Sequence, residues 1–93
     1  MTEKELERLN EANELKKRIN DYTRDMLKLE TLSAKIKKGQ VTPCIGGTGY
    51  DREGYSSTEI YPIGKDIALS TIDSLLVVLE GKKQAAQRMF NEL

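Results

Sequence analysis

The 93-residue chain contains no histidine and no tryptophan, and its single cysteine is Cys44. Without histidine there is no Ser-His or Cys-His nucleophile pair, no histidine general base, and no complete ligand set for the common zinc sites. One cysteine forms neither an internal disulfide nor a CxxC redox pair. Because no basic residue adjoins Cys44, we interpret it as a small buried apolar side chain. The sequence therefore predicts a protein that is not an enzyme and has no catalytic residues, metal or cofactor.

Long hydrophobic runs are also missing. The longest uninterrupted apolar run extends from Leu75 to Leu79, whereas a bilayer-spanning helix needs roughly 20 residues. The first residues after Met1 are Thr2, Glu3, Lys4 and Glu5, which do not resemble the basic and then apolar start of a signal peptide. We expect a cytoplasmic protein that does not bind or cross a membrane.

Excess charge of either sign is absent, because 15 basic residues balance 15 acidic residues. This length predicts a single domain over residues 1–93. Basic residues are locally enriched between residues 15 and 39, where a basic helix could follow phosphates. Acidic residues lie at pairing distance, however, and the whole chain is neutral, so we interpret this segment as a solvated helix face and do not expect a nucleic-acid partner.

Residues 3–38 are predicted to form one long helix. They contain no glycine or proline, and their apolar residues recur at heptad-like spacings: Leu15, Ile19, Tyr22, Met26, Leu29 and Ile36. Thr2 and Glu5 have the spacing of a capping box, and Gly39 is placed to end the helix in a left-handed conformation. Such a helix would be about 55 Å long at 1.5 Å per residue, so the molecule should be elongated.

Residues 40–63 are predicted to form a small Gly-rich β-hairpin with a wide loop. Residues 41–45 and 57–61 are rich in β-branched and aromatic side chains, and the glycine-containing residues 46–55 lie between them. Pro43 and Pro62 remove donors from a sheet ladder and favour strand ends. A two-stranded hairpin is marginal alone, so it should pack on the helices or on a second copy.

Residues 66–92 are predicted to form a second helix, antiparallel to the first. An apolar stripe runs through Ile72, Leu75, Leu79, Ala86, Met89 and Leu93, but Leu76, Val77 and Val78 lie off it. One partner helix cannot cover all of them, so we predict a mainly α fold that assembles into a helical-bundle oligomer. The expected interface consists of Ile72, Leu75, Leu76, Val78, Leu79 and Phe90. The alternative is a monomer in which the hairpin folds over Leu76–Val78.

Gly81 lies inside this second helix, where glycine costs about 1 kcal/mol relative to alanine. The sequence suggests that it marks a bend or a close approach of the two helices.

The loop is the candidate ligand site. Its glycines allow close approach of a ligand, and tyrosine and arginine planes can stack on flat rings, which favours a nucleotide-like molecule held by Gly46, Gly47, Thr48, Tyr50, Arg52, Tyr55 and Tyr61. It matches neither the phosphate-binding P-loop nor the dinucleotide fingerprint. A protein partner is an equal alternative, because tyrosine and arginine also anchor interfaces. A third interpretation is a plain connection whose tyrosines cover the helix seam.

The overall layout resembles that of short phage-encoded accessory proteins. It consists of a polar heptad helix ending in Lys37-Lys38-Gly39, a Gly-rich hairpin, and a second helix entered through residues 61–66. Several such proteins antagonise host defence by sequestering a nucleotide signal between protomers or by occluding a defence protein. The resemblance implies a non-catalytic accessory protein that sequesters a small nucleotide-like ligand at a loop or subunit boundary. The alternatives are an inhibitor or adaptor that binds a host protein through the loop or the long helix, and a coiled-coil assembly element.

Overall fold

The structure is a computed structural model that describes residues 2–50 and 52–93. Four elements follow one another along the chain: helix α1 (Glu3–Lys37), strands β1 (Cys44–Tyr50) and β2 (Ser56–Pro62), and helix α2 (Lys65–Asn91). The prediction of two long helices with a small antiparallel hairpin between them is confirmed. Among the described residues, no helix combines the length and the apolar character that crossing a bilayer requires.

Both ends of α1 are fixed by local hydrogen bonds. At its start, the Glu5 backbone N–H donates to Thr2 Oγ1 at 3.2 Å and the Thr2 N–H donates to Glu5 Oε2 at 3.3 Å, which confirms the capping box. At its end, Gly39 has φ +71°, its N–H donates to the Ile36 carbonyl, and the Gln40 N–H donates to the Lys35 carbonyl. This is a Schellman motif, and the positive φ is the reason glycine is needed there.

The two helices pack antiparallel along the predicted seam of α1. The main core cluster consists of Ile36, Ala68 and Ile72, while Leu15 and Ala86 are buried nearer the other end. Lys65 Nζ at the start of α2 donates to the Lys37 carbonyl at the end of α1 at 3.1 Å, so a cation also stabilises the exposed end of the α1 dipole.

The inner face of α2 differs from the predicted stripe. Ile72, Leu79 and Ala86 face α1 as expected, but Leu76 packs against the core, whereas Leu75, Met89 and Leu93 are exposed. Lys83, and not Lys82, lies on the half-buried side. The run of apolar residues permitted either register, and packing against α1 selected the one centred on Leu76.

The first strand is longer and lies later in the chain than predicted. Val41 and Thr42 precede β1, and residues 46–50, expected in the loop, form its ladder with β2. Of the described residues, 52–55 are therefore left for the connecting turn. Gly54 has φ +86°, a conformation that glycine adopts readily and other residues rarely do.

The molecule is much more extended than a compact domain. Its extents are 54 × 40 × 17 Å, and two packed helices, each about 10–12 Å across, cannot span the second dimension. The hairpin therefore projects from the helix pair. The radius of gyration is 18.7 Å against about 12 Å for a compact 93-residue domain. The chain exposes 7627 Å², about 2200 Å² more than a compact monomer of 10.5 kDa.

Candidate functional site

The hairpin presents two exposed faces that carry different side chains. Opposite residues of an antiparallel pair share a face, so the register divides the strands into two sets. The first set, the Tyr50 face, contains Gly46, Thr48, Tyr50, Ser56, Thr58 and Ile60. The second set, the Tyr61 face, contains Ile45, Gly47, Gly49, Ser57, Glu59 and Tyr61. All of these residues are exposed.

The residues predicted to bind a ligand do not share one face. Gly46, Thr48 and Tyr50 lie on the Tyr50 face, whereas Gly47 and Tyr61 lie on the opposite face. Arg52 and Tyr55 belong to the turn between the strands, and Asp51, in the predicted loop, lies outside the described residues. The two faces are separated by the backbone, so one small molecule cannot touch the whole predicted set.

The hairpin tyrosines do not cover the helix seam. Tyr50 is 81% exposed, Tyr61 is 74% exposed, and Tyr55 is also exposed. The interpretation of the hairpin as a connection whose tyrosines shield the helices is therefore wrong. The physical reason is that the ladder extends to Tyr50 and carries the aromatic side chains away from the helices.

Three glycines in β1 have different structural roles. A Cβ at Gly46 would lie 2.9 Å from the Glu59 carbonyl oxygen, so the close approach of β2 requires glycine there. Gly47 and Gly49 have no positive φ, and an added Cβ at either would meet no atom within 4 Å. Their bare backbone leaves part of the Tyr61 face flat and open to a molecule outside the chain.

A broad, open groove crosses the two strands near the base of the hairpin. It has a volume of about 490 Å³ and is lined by Ile45, Gly46, Gly47, Glu59, Ile60 and Tyr61. Thr48, Tyr50, Arg52 and Tyr55 do not line it, since they lie nearer the tip. The groove is shallow, and small-molecule sites are normally concave and enclosing, so one chain alone offers little enclosure for a nucleotide here.

A more enclosed, apolar cleft lies where the hairpin leaves the helices. It has a volume of about 280 Å³, and among the described residues its lining carries no charged side chain, although charged residues make up 32% of the chain. Its lining includes Leu29, Leu32 and Ile36 from α1, residues 41–45 and Ile63 from the hairpin base, and Ala68, Thr71, Ile72 and Leu75 from α2. The cleft suits an apolar group and disfavours a phosphate.

Cys44 is exposed at this cleft, and its interpretation as a buried residue is wrong. Cys44 is the first residue of β1, at the foot of the projecting hairpin, so the helices cover it only in part. Its exposure makes the thiol a natural reporter for anything that covers the cleft.

The predicted interface residues divide into two groups. Ile72, Leu76 and Leu79 are buried or half-buried by packing within the chain, so they are largely unavailable to a second copy. Leu75, Val78 and Phe90 remain at least one-third exposed. The hairpin does not fold over residues 76–78, because Val77 is 73% exposed and Val78 is 53% exposed, so the monomeric alternative in which it does so is wrong.

The basic segment of α1 is partly neutralised by its own acidic residues. Arg24 pairs with Asp21 at 3.2 Å and with Asp25 at 3.8 Å, at spacings along one helix. These exposed pairs are worth little in stability, but they reduce the local positive field. Within residues 2–50 and 52–93, no cluster of three or more acidic or cysteine side chains could hold a metal ion.

Sequence reasoning missed the junction between helices and hairpin. Leu32 lies beside the α1 seam, and Val41 was assigned to a strand, yet both contribute to the apolar cleft. The available signal was the pair of apolar residues Leu32 and Val41 on either side of the helix end at Gly39. Their convergence depends on the direction in which the hairpin leaves α1, which periodicity does not specify.

Comparisons with protein-family models, curated proteins and solved structures return no match. The resemblance to small phage-encoded accessory proteins therefore stays a prediction.

Proposed function

We propose that this chain is a non-catalytic binding protein that engages a protein partner through its projecting β-hairpin. The observation that carries the proposal is the exposure of large side chains on both hairpin faces, including Tyr50, Ile60 and Tyr61. An isolated two-stranded hairpin is marginal in water and gains stability by packing or by strand addition. Tyrosine is also among the side chains that most often anchor protein interfaces.

The backbone of the hairpin supports recognition by strand addition. Among the described residues the sheet has two strands, so each keeps an unpaired outer edge, and Gly47 and Gly49 leave room for close approach that no described residue uses. A partner strand would receive main-chain hydrogen bonds from an edge, with exposed isoleucine and tyrosine side chains supplying specificity. This is the inhibitor or adaptor function among those that the sequence suggested.

Sequestration of a nucleotide-like ligand is the second candidate. The turn brings Arg52 and Tyr55 near Tyr50, and these planar groups can stack on a base. One chain does not enclose such a ligand, so this version requires a second protomer to close the site. A cytoplasmic role against host defence belongs to the same proposal.

The test is native mass spectrometry of the wild type and two variants, each affinity-purified from the source cell. The informative variant is Tyr50→Ser/Ile60→Ser, which removes two anchors from the Tyr50 face, and the matched control is Val77→Ser on the exposed side of α2. We expect a co-purifying protein with the wild type and the control, and its loss in the double variant.

Other outcomes separate the competing functions. A retained nucleotide without a protein partner would replace the adaptor with the sequestration function. Identical spectra for all three proteins, with no retained protein or small molecule, would leave the coiled-coil assembly element as the function.

A further inference from the structure

The apolar surface around the junction cleft is the least explained feature of the helix pair. We define the junction surface as the exposed side chains Leu32, Val41, Ile45, Leu75 and Val78. The first four line the cleft, and Val78 lies one helical turn beyond Leu75 on the same side of α2. Contiguous apolar side chains of this kind mark association sites.

We infer that a second copy of this chain covers the junction surface. The chain exposes 7627 Å², an excess of about 2200 Å² over a compact monomer of its mass. Obligate homodimers bury about 1000–2500 Å² on each subunit, so the exposed surface is large enough to supply a self-interface of that size.

The small core of the helix pair also favours coverage of the junction surface by a second copy. The buried apolar core consists of Leu15, Ile36, Ala68, Ile72 and Ala86 among the described residues, which is small for a chain of 93 residues. Two of the five are alanines, so the helix pair gains little from burial alone. A covering surface must then be present when the chain folds, and a second copy is available wherever the chain is made, with an occupancy that rises with protomer concentration.

The charge distribution around the cleft is compatible with pairing of two copies. A two-fold interface places each surface against itself, so any charge within it faces a like charge nearby. The described lining of the cleft has no charged residue, and the whole chain has a formal charge of zero. The cleft therefore adds no like-charge repulsion to an interface between two copies, and the basic side chains Lys28 and Lys35 line a neighbouring groove beside Leu32. The inference does not depend on what the hairpin binds.

The test uses two neighbouring valines with different positions on α2. Val78 belongs to the junction surface, whereas Val77 lines a different groove with Met26, Glu80 and Gln84. We expect light scattering to give twice 10.5 kDa for the wild type and for Val77→Glu, and 10.5 kDa for Val78→Glu. Both valines are exposed in one chain, so glutamate at either position is solvated in the monomer.

A wild-type mass of 10.5 kDa at all concentrations would overturn the inference, as would an equal response of the two valine variants. A larger multiple that only Val78→Glu dissociates would support coverage by copies of the chain. A wild-type mass of twice 10.5 kDa with no protein co-purifying through the hairpin would count against the proposed function alone, which keeps the two failures distinct.

Cys44 allows a second measurement, which uses the wild-type protein and needs no substitution. Its thiol is exposed at the cleft in one chain, so its reaction with a disulfide reagent reports coverage of the junction surface. We expect the wild-type thiol to react at least tenfold more slowly than free cysteine at high protein concentration. Reaction as fast as free cysteine at every concentration would overturn the inference.

Discussion

The helix pair and the hairpin differ in where their stabilising contacts come from. Every buried residue of the described chain lies in α1 or α2, including Ser33, which occupies the α1 seam between Leu29 and Ile36. The hairpin strands contain no buried residue and are held by their mutual ladder. The helices therefore specify their own geometry through side-chain packing, whereas the hairpin depends on backbone pairing and on whatever it contacts outside the chain.

The largest expected effect comes from removing the same side chain in each region. Ile72→Ala should lower the free energy of unfolding by about 2–5 kcal/mol, because it removes buried methyl groups from the core cluster. Ile60→Ala should change it by less than about 0.5 kcal/mol, because Ile60 is 67% exposed. Urea denaturation followed by circular dichroism, at one protein concentration, measures both. Comparable losses would mean that the hairpin is part of the folded core.

A smaller effect should separate two adjacent glycines of β1. Gly46→Ala places a Cβ against the Glu59 carbonyl and should cost the hairpin about 1–3 kcal/mol, the usual range for overpacking. Gly47→Ala meets nothing within 4 Å and serves as the control. Amide hydrogen exchange should show lost protection in β1 and β2 for the first variant only, with the helix amides unchanged. Equal protection in both variants would contradict the close approach at Gly46.

The smallest effects concern two glycines associated with the helices. Gly39→Ala should destabilise the protein by about 1 kcal/mol, because φ +71° is unfavourable for residues with a Cβ. Gly81→Ala should stabilise it by about 0.5–1 kcal/mol, because Gly81 is helical and exposed and a Cβ there meets nothing within 4 Å. Thermal unfolding at fixed protein concentration would reveal the opposite signs.

The surroundings of Gly81 show that the suggestion of a close approach of α1 and α2 at this residue is wrong. The space beside Gly81 is open, so the absence of a side chain there does not bring the helices closer together. A drop in melting temperature for Gly81→Ala would show that another molecule packs against this position.

Local signals in the sequence were sufficient for the helices and insufficient for the hairpin. Thr2, Glu5 and Gly39 fix the ends of α1 through hydrogen bonds between residues a few positions apart, so those ends could be predicted from spacing alone. The extension of β1 through Gly46, Gly47 and Gly49 could not, because glycine is depleted in strands and the pairing with β2 overrides that preference.

The candidate surfaces were predictable only in part. The exposure of residues near Val78 followed from an apolar run that one helix cannot cover. The choice between Leu75 and Leu76 required the packing register with α1, and the cleft required the path of residues 41–45. Tertiary packing decides such points, and a single sequence contains no direct record of it.

The contact between Lys65 and Lys37 means that the chain leaves the helical scaffold and re-enters it at almost the same place. Antiparallel helices are ordinarily joined by a bridge of about two to five residues, so the hairpin amounts to an insertion into such a bridge. Its tip can change in length and sequence without rebuilding the helices beneath it. The helix pair thus acts as a scaffold and the hairpin as a separable binding element, so grafting different tips would redirect one scaffold to different partners.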